Sequence, residues 1–353
     1  MKLPLTPILL FSLCLLVSCQ ESEEQHVPLL KAKLIDSSLS RLSAFSVFQN
    51  KAAIQGAQNL QAVTSAFLKT TDNGQLQKVH LAWQNAHNKY LASKYGLFMP
   101  LDERRALLFA IESWPIQPGF IDSLPNYPSS GIVNDITLNM DLPTLREQHG
   151  ITDREEVCLG FHAVEYLIFE RSIEHFSAEF PRKTAESSTR KEDSVERRRL
   201  LLQLLVDELV NNMNQSALLM AKQFSTQEDI TNQDKIYHFL HNTADNLQGL
   251  QRASSLLFDL NASHGHYSET SLNALAVELT TLEAFYLGDV DLMPLLMAID
   301  LTTAANFNKT LLDAVALIRD PEAGETEFAK LPLMISALAH QLENFESILG
   351  RNL

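Results

Sequence analysis

The stretch QLQKVHLAWQNAHNKYLASKY, residues 75–95, carries the helical signature on which the fold reading rests. His80, Trp83, His87 and Tyr90 follow one another at steps of three, four and three, so on a helix they form one stripe. Thr71-Asp72-Asn73-Gly74 is a turn signal before the stretch, and Gly96 closes it. The same period extends outward. Leu30, Leu34, Leu42 and Phe45 repeat at helical spacing, and a further segment runs to Leu68. Asp102 to Glu112 reads as a shorter helix that stops at Trp114-Pro115. Downstream, helices are expected over Val195–Phe224, Asp234–Leu260, Ser268–Leu287, Pro294–Arg319 and Glu325–Leu349. No heptad repeat is sustained, so the expected architecture is a packed all-α bundle rather than a coiled coil. Glycine (12) and proline (13) make up about 7% of the 353 residues, well below ordinary usage. That argues against a β-sandwich with frequent turns.

Two regions interrupt the helices. Residues 115–150 hold Pro115, Pro118, Pro125, Pro128 and Pro143, five of the 13 prolines. An irregular excursion of this length is uncommon in a compact domain and is often functional. A helix is expected after it, capped by Thr152 or Asp153, with Glu155 and Glu156 in its first turn. Residues 170–199 are dense in charge and Ser/Thr and end in Arg197-Arg198-Arg199, read as a solvated face. This is the expected boundary between two halves, 29–190 and 191–353.

At the other end, Lys2 and the apolar run Ile8–Val17 form a secretory signal expected over residues 1–18. Leu16-Val17-Ser18-Cys19 resembles the lipobox of bacterial lipoproteins, which implies acylation of Cys19 and a polar tether over 19–28. Gln20 is not the Asp that retains such proteins in the inner membrane. The expected location is therefore periplasmic, lipid-anchored, at the outer membrane of a Gram-negative cell. Cys14 would leave with the signal, so Cys158 is the remaining thiol and no intrachain disulfide is expected. The charge of −15 is a poor match for nucleic acid, because phosphate contacts need cations.

No Gly-rich phosphate loop, nucleophile elbow, H-E-x-x-H helix or paired C-x-x-C is present. What remains is histidine and carboxylate at helical spacing. His-x-x-Glu occurs at His162/Glu165, His266/Glu269 and His340/Glu343. Residues three apart share a helix face, and imidazole with carboxylate suits iron, zinc or manganese. Context separates the three pairs. His340/Glu343 stands in a polar neighbourhood, and His266 lies in a loop where Ser268 reads as a helix cap. His162 and Glu165 lie among Leu159, Phe161, Val164, Tyr166, Leu167 and Ile168, where neither can be buried unpaired. A core His–Glu hydrogen bond would meet that need equally well. Gly160 costs about 1 kcal/mol in a helix interior, which points to close approach of another backbone or a ligand.

Gly160-x-His162-x-x-Glu165, continuing Tyr166-Leu167-Ile168-Phe169, resembles the GxHxxE signature of the imelysin family, also described as imelysin-like peptidases. Further matches follow in the family's order. They are the Trp83 and Tyr90 helix, Glu112-Ser113-Trp114-Pro115-Ile116 with Phe120-Ile121-Asp122, Gly131-Ile132-Val133-Asn134-Asp135, and Tyr267-Ser268 through Tyr286-Leu287-Gly288. The resemblance implies an all-α fold of two helical-bundle halves packed together, with the GxHxxE site near their interface. It also implies a cell-envelope protein tied to iron uptake, related to the helical domain of the iron-uptake lipoprotein EfeO. Two departures stand out. The family usually has Arg at the position of His87, and the second half lacks a Glu-His-Ser-Cys-Phe-Ser stretch.

The leading expectation is thus a lipoprotein that binds a metal ion or metal-bearing ligand, with iron first and zinc as the alternative. His162 and Glu165 form the central pair, with Glu112, Asp122 and Asp135 approaching from the excursion. Gly160, Trp83, His87, Tyr90, Trp114 and Ser268 line the pocket, and His87 is read as packing on Trp83 rather than ligating. The expected partners are the membrane, through Cys19, and iron-transport proteins, with no nucleic acid. A metallopeptidase using His162 and Glu165 is the second reading, and an envelope binding protein for an organic ligand without metal the third.

Overall fold

Helix α1 (Glu21–Lys69) is 49 residues long and serves two cores in succession. Ile35, Leu39 and Leu42 enter one core, while Ala53, Ala57, Leu60 and Phe67 enter the other. At about 1.5 Å per residue the helix spans roughly 73 Å, long enough to be a shared spine. The two segments expected on either side of residue 45 are therefore one helix. The computed structural model describes residues 21–98, 102–177, 185–225, 230–259 and 262–350. The expected signal and acylation site Cys19 lie outside the described residues. Among the described residues there is no strand beyond one isolated bridge, Leu124–Tyr127, and no helix long and apolar enough to cross a membrane.

Helix α2 (Asn73–Ser93) packs along α1. It starts where the turn signal stands because the Asp72 side chain accepts from the Gln75 N–H at 2.8 Å, a standard N-cap. Gly56 of α1 lets the backbones approach: a Cβ there would stand 3.0 Å from Ala86 Cα. Helix α3 (Asp102–Ile111) follows, then the excursion, whose helical turns are α4 (Pro118–Ile121) and α5 (Leu142–Gln148). Beyond it come α6 (Gly160–Glu165) and the long α7 (Ala185–Gln223).

The second core is built by α8 (Asn232–Ser255), α9 (Ser271–Tyr286), α10 (Met293–Ile299), α11 (Leu301–Arg319), the short α12 (Glu325–Phe328) and α13 (Leu331–Gly350). The helix expected over Pro294–Arg319 is broken at Asp300. That residue is extended (φ −152°), and its side chain accepts from Thr303 N–H at 2.6 Å, starting α11 afresh. The cores do not divide at residue 190. Helix α7 places Leu201, Leu205, Val206, Leu209 and Met213 in the first core, so core membership changes after α7.

The Arg197-Arg198-Arg199 run is not a solvated face. Arg197 donates to the carbonyls of Ile132, Val133, Asp135 and Leu138 at 2.7–3.0 Å. Arg199 reaches Phe176 O at 2.6 Å, Thr71 Oγ1 at 2.9 Å and the Leu68 carbonyl. Arg198 donates to both carboxylate oxygens of Asp122, at 2.5 and 3.0 Å, and to His175 O at 2.8 Å. The excursion has few helical bonds, so its carbonyls need external donors, and guanidinium supplies five.

Asp122 and Arg198 are both buried, so removing one partner strands a charge. Asp122→Asn is expected to cost about 3–5 kcal/mol in urea unfolding, and an Asp122→Leu, Arg198→Met pair should recover much of that. Burial pushes the Asp122 carboxyl up, but Arg198 and Arg171 hold it below the ordinary carboxylate value. Its contribution is therefore complete above the unfolded pKa, near 3.9, and is lost as pH falls through the lower folded value. Acid titrations of stability should be steeper for the wild type than for Asp122→Asn.

Candidate metal centre

Gly160 sets the site. Its φ is +86°, and a Cβ there would stand 2.4 Å from the Ile111 carbonyl oxygen. Only glycine tolerates that conformation together with that contact. The expected helix from Thr152 or Asp153 therefore does not form. Instead Thr152 N–H and Oγ1 and Asp153 N–H donate to the Glu156 carboxylate at 2.7–3.1 Å and close a loop. Leu159 is extended, and α6 begins at Gly160. The backbone contact seats the end of α3 against the start of α6. Glu112 then follows Ile111 directly, and His162 lies two residues into α6.

Four side chains from four segments converge there. They are His87 from α2, Glu112 after α3, His162 from α6 and His264 from the α8–α9 connection. Their ligating atoms all lie within 4.8 Å of one another. Glu112 Oε1 is 2.9 Å from His87 Nε2, 3.0 Å from His264 Nε2 and 3.5 Å from His162 Nε2. His162 Nε2 and His264 Nε2 are 3.1 Å apart. Ligands about 2.05 Å from one ion in a tetrahedron stand roughly 3.3 Å apart, so the observed spacings bracket that value. The other Glu112 oxygen, Oε2, is buried with no hydrogen-bond partner. His264 Nε2 carries either a proton or a lone pair, so it cannot both donate to Glu112 and accept from His162. A cation at the centre would satisfy all four lone pairs at once. The donor set therefore fits a metal.

Glu165 does not join the four. Its Oε2 accepts from His162 Nδ1 at 2.8 Å, while Oε1 accepts from Ser268 N–H at 2.9 Å and Ser268 Oγ at 2.7 Å. It thereby holds the proton on Nδ1 and turns Nε2 toward the cluster, the arrangement that second carboxylates give to metal-bound histidines. Ser268, expected as a helix cap, is instead bonded to Glu165, and α9 begins at Ser271 without a side-chain cap. Trp83 donates from Nε1 to Phe161 O at 2.9 Å and lies 4.8 Å from the His87 ring. Tyr90 packs on Phe161. Trp114 donates to Ser263 O at 3.2 Å and meets the His264 ring edge-on at 5.4 Å, with the Arg252 guanidinium over its face.

The electrostatics are those of a charged cluster in a largely buried site. Burial pushes the Glu112 carboxyl up, but His87 and His162 hold it well below the carboxylate range. Burial pushes His162 down, yet Glu112 and Glu165 raise it to about 10. For His264 burial prevails and its pKa falls, only partly countered by the Glu112 bond and reinforced by the charge of His162. Glu165 is pushed up by burial and brought below its usual value by His162 and Ser268.

Two expected ligands are elsewhere. The Asp122 carboxylate is taken up by Arg198 and Arg171. Asp135 accepts from Thr137 N–H at 2.9 Å and Thr137 Oγ1 at 2.6 Å in an exposed turn. His87 does pack on Trp83 as expected, but it also faces Glu112. His264 was not among the expected residues. Its signal lay in the Ala262-Ser263-His264-Gly265-His266 loop, where only His266 has a Glu at the i+3 position. His340 and Glu343 form an exposed pair at 3.0 Å.

The imelysin family model matches residues 49–333. No curated protein matches the chain. Among solved structures, the Parabacteroides distasonis ATCC 8503 protein named as an iron-regulated protein A precursor superposes with a TM-score of 0.56 at 15% identity, covering 89% of this chain and 94% of that one. An imelysin-like protein from Psychrobacter arcticum 273-4 gives 0.54 at 15% identity, covering 90% and 93%. At this identity the likeness is one of fold.

Gly160→Ala should lower Tm and weaken any metal binding together, since the new methyl must displace the Ile111 carbonyl and with it Glu112. Gly249→Ala, on α8 with open space where a Cβ would stand, should gain up to about 1 kcal/mol. Thermal unfolding of the two variants separates the site-specific requirement from ordinary helix propensity.

Proposed function

The chain belongs to the imelysin family, and on that premise we propose that it is a cell-envelope protein of iron acquisition or homeostasis that binds one metal ion through His87, Glu112, His162 and His264. The observation that carries this reading is the convergence of four ligating atoms within 4.8 Å of one another, while the second Glu112 oxygen is buried and has no hydrogen-bond partner. Three imidazoles and one carboxylate form a nitrogen-rich set. Such a set suits ferrous iron or zinc better than ferric iron, which favours oxygen. The iron-regulated designation of one structural neighbour supports iron as the cargo. The leader and the Leu16-Val17-Ser18-Cys19 motif support an acylated, periplasm-facing anchor at the outer membrane, where iron-transport proteins would be the partners. A crevice of about 20 Å³ beside His162 and Glu165 is one water in size, which favours an ion over a peptide as guest.

The test is anaerobic calorimetry with ferrous iron and with zinc on the chain from Gln20 onward. One equivalent should bind to the wild type, with His264→Ala and Glu112→Gln losing it in folded protein. Glu165→Gln should retain binding weakened about 10–100-fold, because it orients rather than ligates. Unchanged affinity in His264→Ala would refute the assignment.

A further inference from the structure

The crevice next to the cluster has a polarity from solvent to site. Its floor is His162 and Glu165, both 1% exposed. Its rim is formed by Trp114 and Pro115 at the start of the excursion and by His266 and Tyr267 from the α8–α9 connection, all partly exposed. His266 is thus the imidazole that touches both bulk water and the space over His162. Its ring is braced edge-on by Tyr267 at 4.8 Å. Among the described residues, its ring nitrogens have no hydrogen-bond partner. The His266/Glu269 pairing suggested by spacing does not form a ligand set. Glu269 sits in the left-handed region (φ 56°), exposed in the turn.

A space of about 20 Å³ admits one water but not a hexahydrated cation. A cation entering here must exchange water for a protein donor at the rim, and imidazole is the one donor there suited to a borderline transition metal. A haem or siderophore chelate needs a pocket of about 300–1,000 Å³. We propose that the cargo is an unchelated divalent cation and that His266 is its entry ligand, binding the ion transiently at the crevice mouth before His162 and His264 take it. The proposal rests on the metal-binding reading above. A transient ligand lowers the barrier in both directions, so it governs rates rather than affinity.

The chain's two tryptophans, Trp83 and Trp114, lie 4.8 and 5.4 Å from ligand rings, so quenching by cobalt(II) reports occupancy. Stopped-flow measurements on the wild type, His266→Ala and His266→Gln should show association and dissociation both slowed about tenfold or more in the alanine variant. Its Kd should stay within about threefold, while His162→Ala loses binding altogether. The glutamine variant keeps the volume of the rim and guards against a packing effect. The ferric–EDTA chelate should leave the fluorescence unchanged. Equal or faster rates in both His266 variants overturn the entry role, as does a loss of affinity like that of His162→Ala. Saturable quenching by the chelate overturns the cargo assignment. Absence of cobalt binding to the wild type would instead refute the metal site itself, and the entry route with it.

Discussion

The approach of the bare Gly160 Cα to the Ile111 carbonyl governs how the first half can pack. It forces the chain to begin α6 there, not at Thr152, and it holds α3 and α6 in register at the point where Glu112 and His162 must meet. A side chain at position 160 would push these segments apart. The distances to Glu112 depend on that contact, and Glu112 Oε1 is the atom that all three imidazole nitrogens face.

The remaining parts of the fold hold this contact in place. Helix α1 ties the two cores to one rigid axis, so the α8–α9 connection can bring His264 and Ser268 onto α6 from the far half. A second buried link reinforces the junction: Glu278 of α9 accepts from Tyr95 Oη at 2.6 Å and pairs with Lys94 Nζ at 2.6 Å. Elsewhere Arg197 and Arg198 of α7 fasten the excursion by its carbonyls and by Asp122, while Arg199 ties α7 to the end of α1 and to Phe176. In both places a buried charge is tolerated because it is paired with an opposite charge.

The division between orienting and ligating carboxylates has a physical origin. Glu165 is committed on both oxygens, to His162 and to Ser268, and so is a neutralising neighbour. Glu112 has one oxygen shared among three imidazoles and the other free. Two glutamates in one buried site thus serve different ends.

Much of this was legible in the chain. Helix periodicity, the turn before α2, the His162–Glu165 pairing and the close approach signalled by Gly160 are read from residues within a turn or two of one another, so the sequence by itself determined the all-α class and the helical runs, and it marked His162 as a site residue. It also marked Glu112 and His87, though not their common target. What only the tertiary structure decided is which groups share that target. His264 meets Glu112 across 152 residues, and Asp122 is claimed by Arg198 across 76. Local spacing holds no information about such encounters. They follow from which faces the cores bury, and from the rule that each buried charge must find a partner wherever the packing places one.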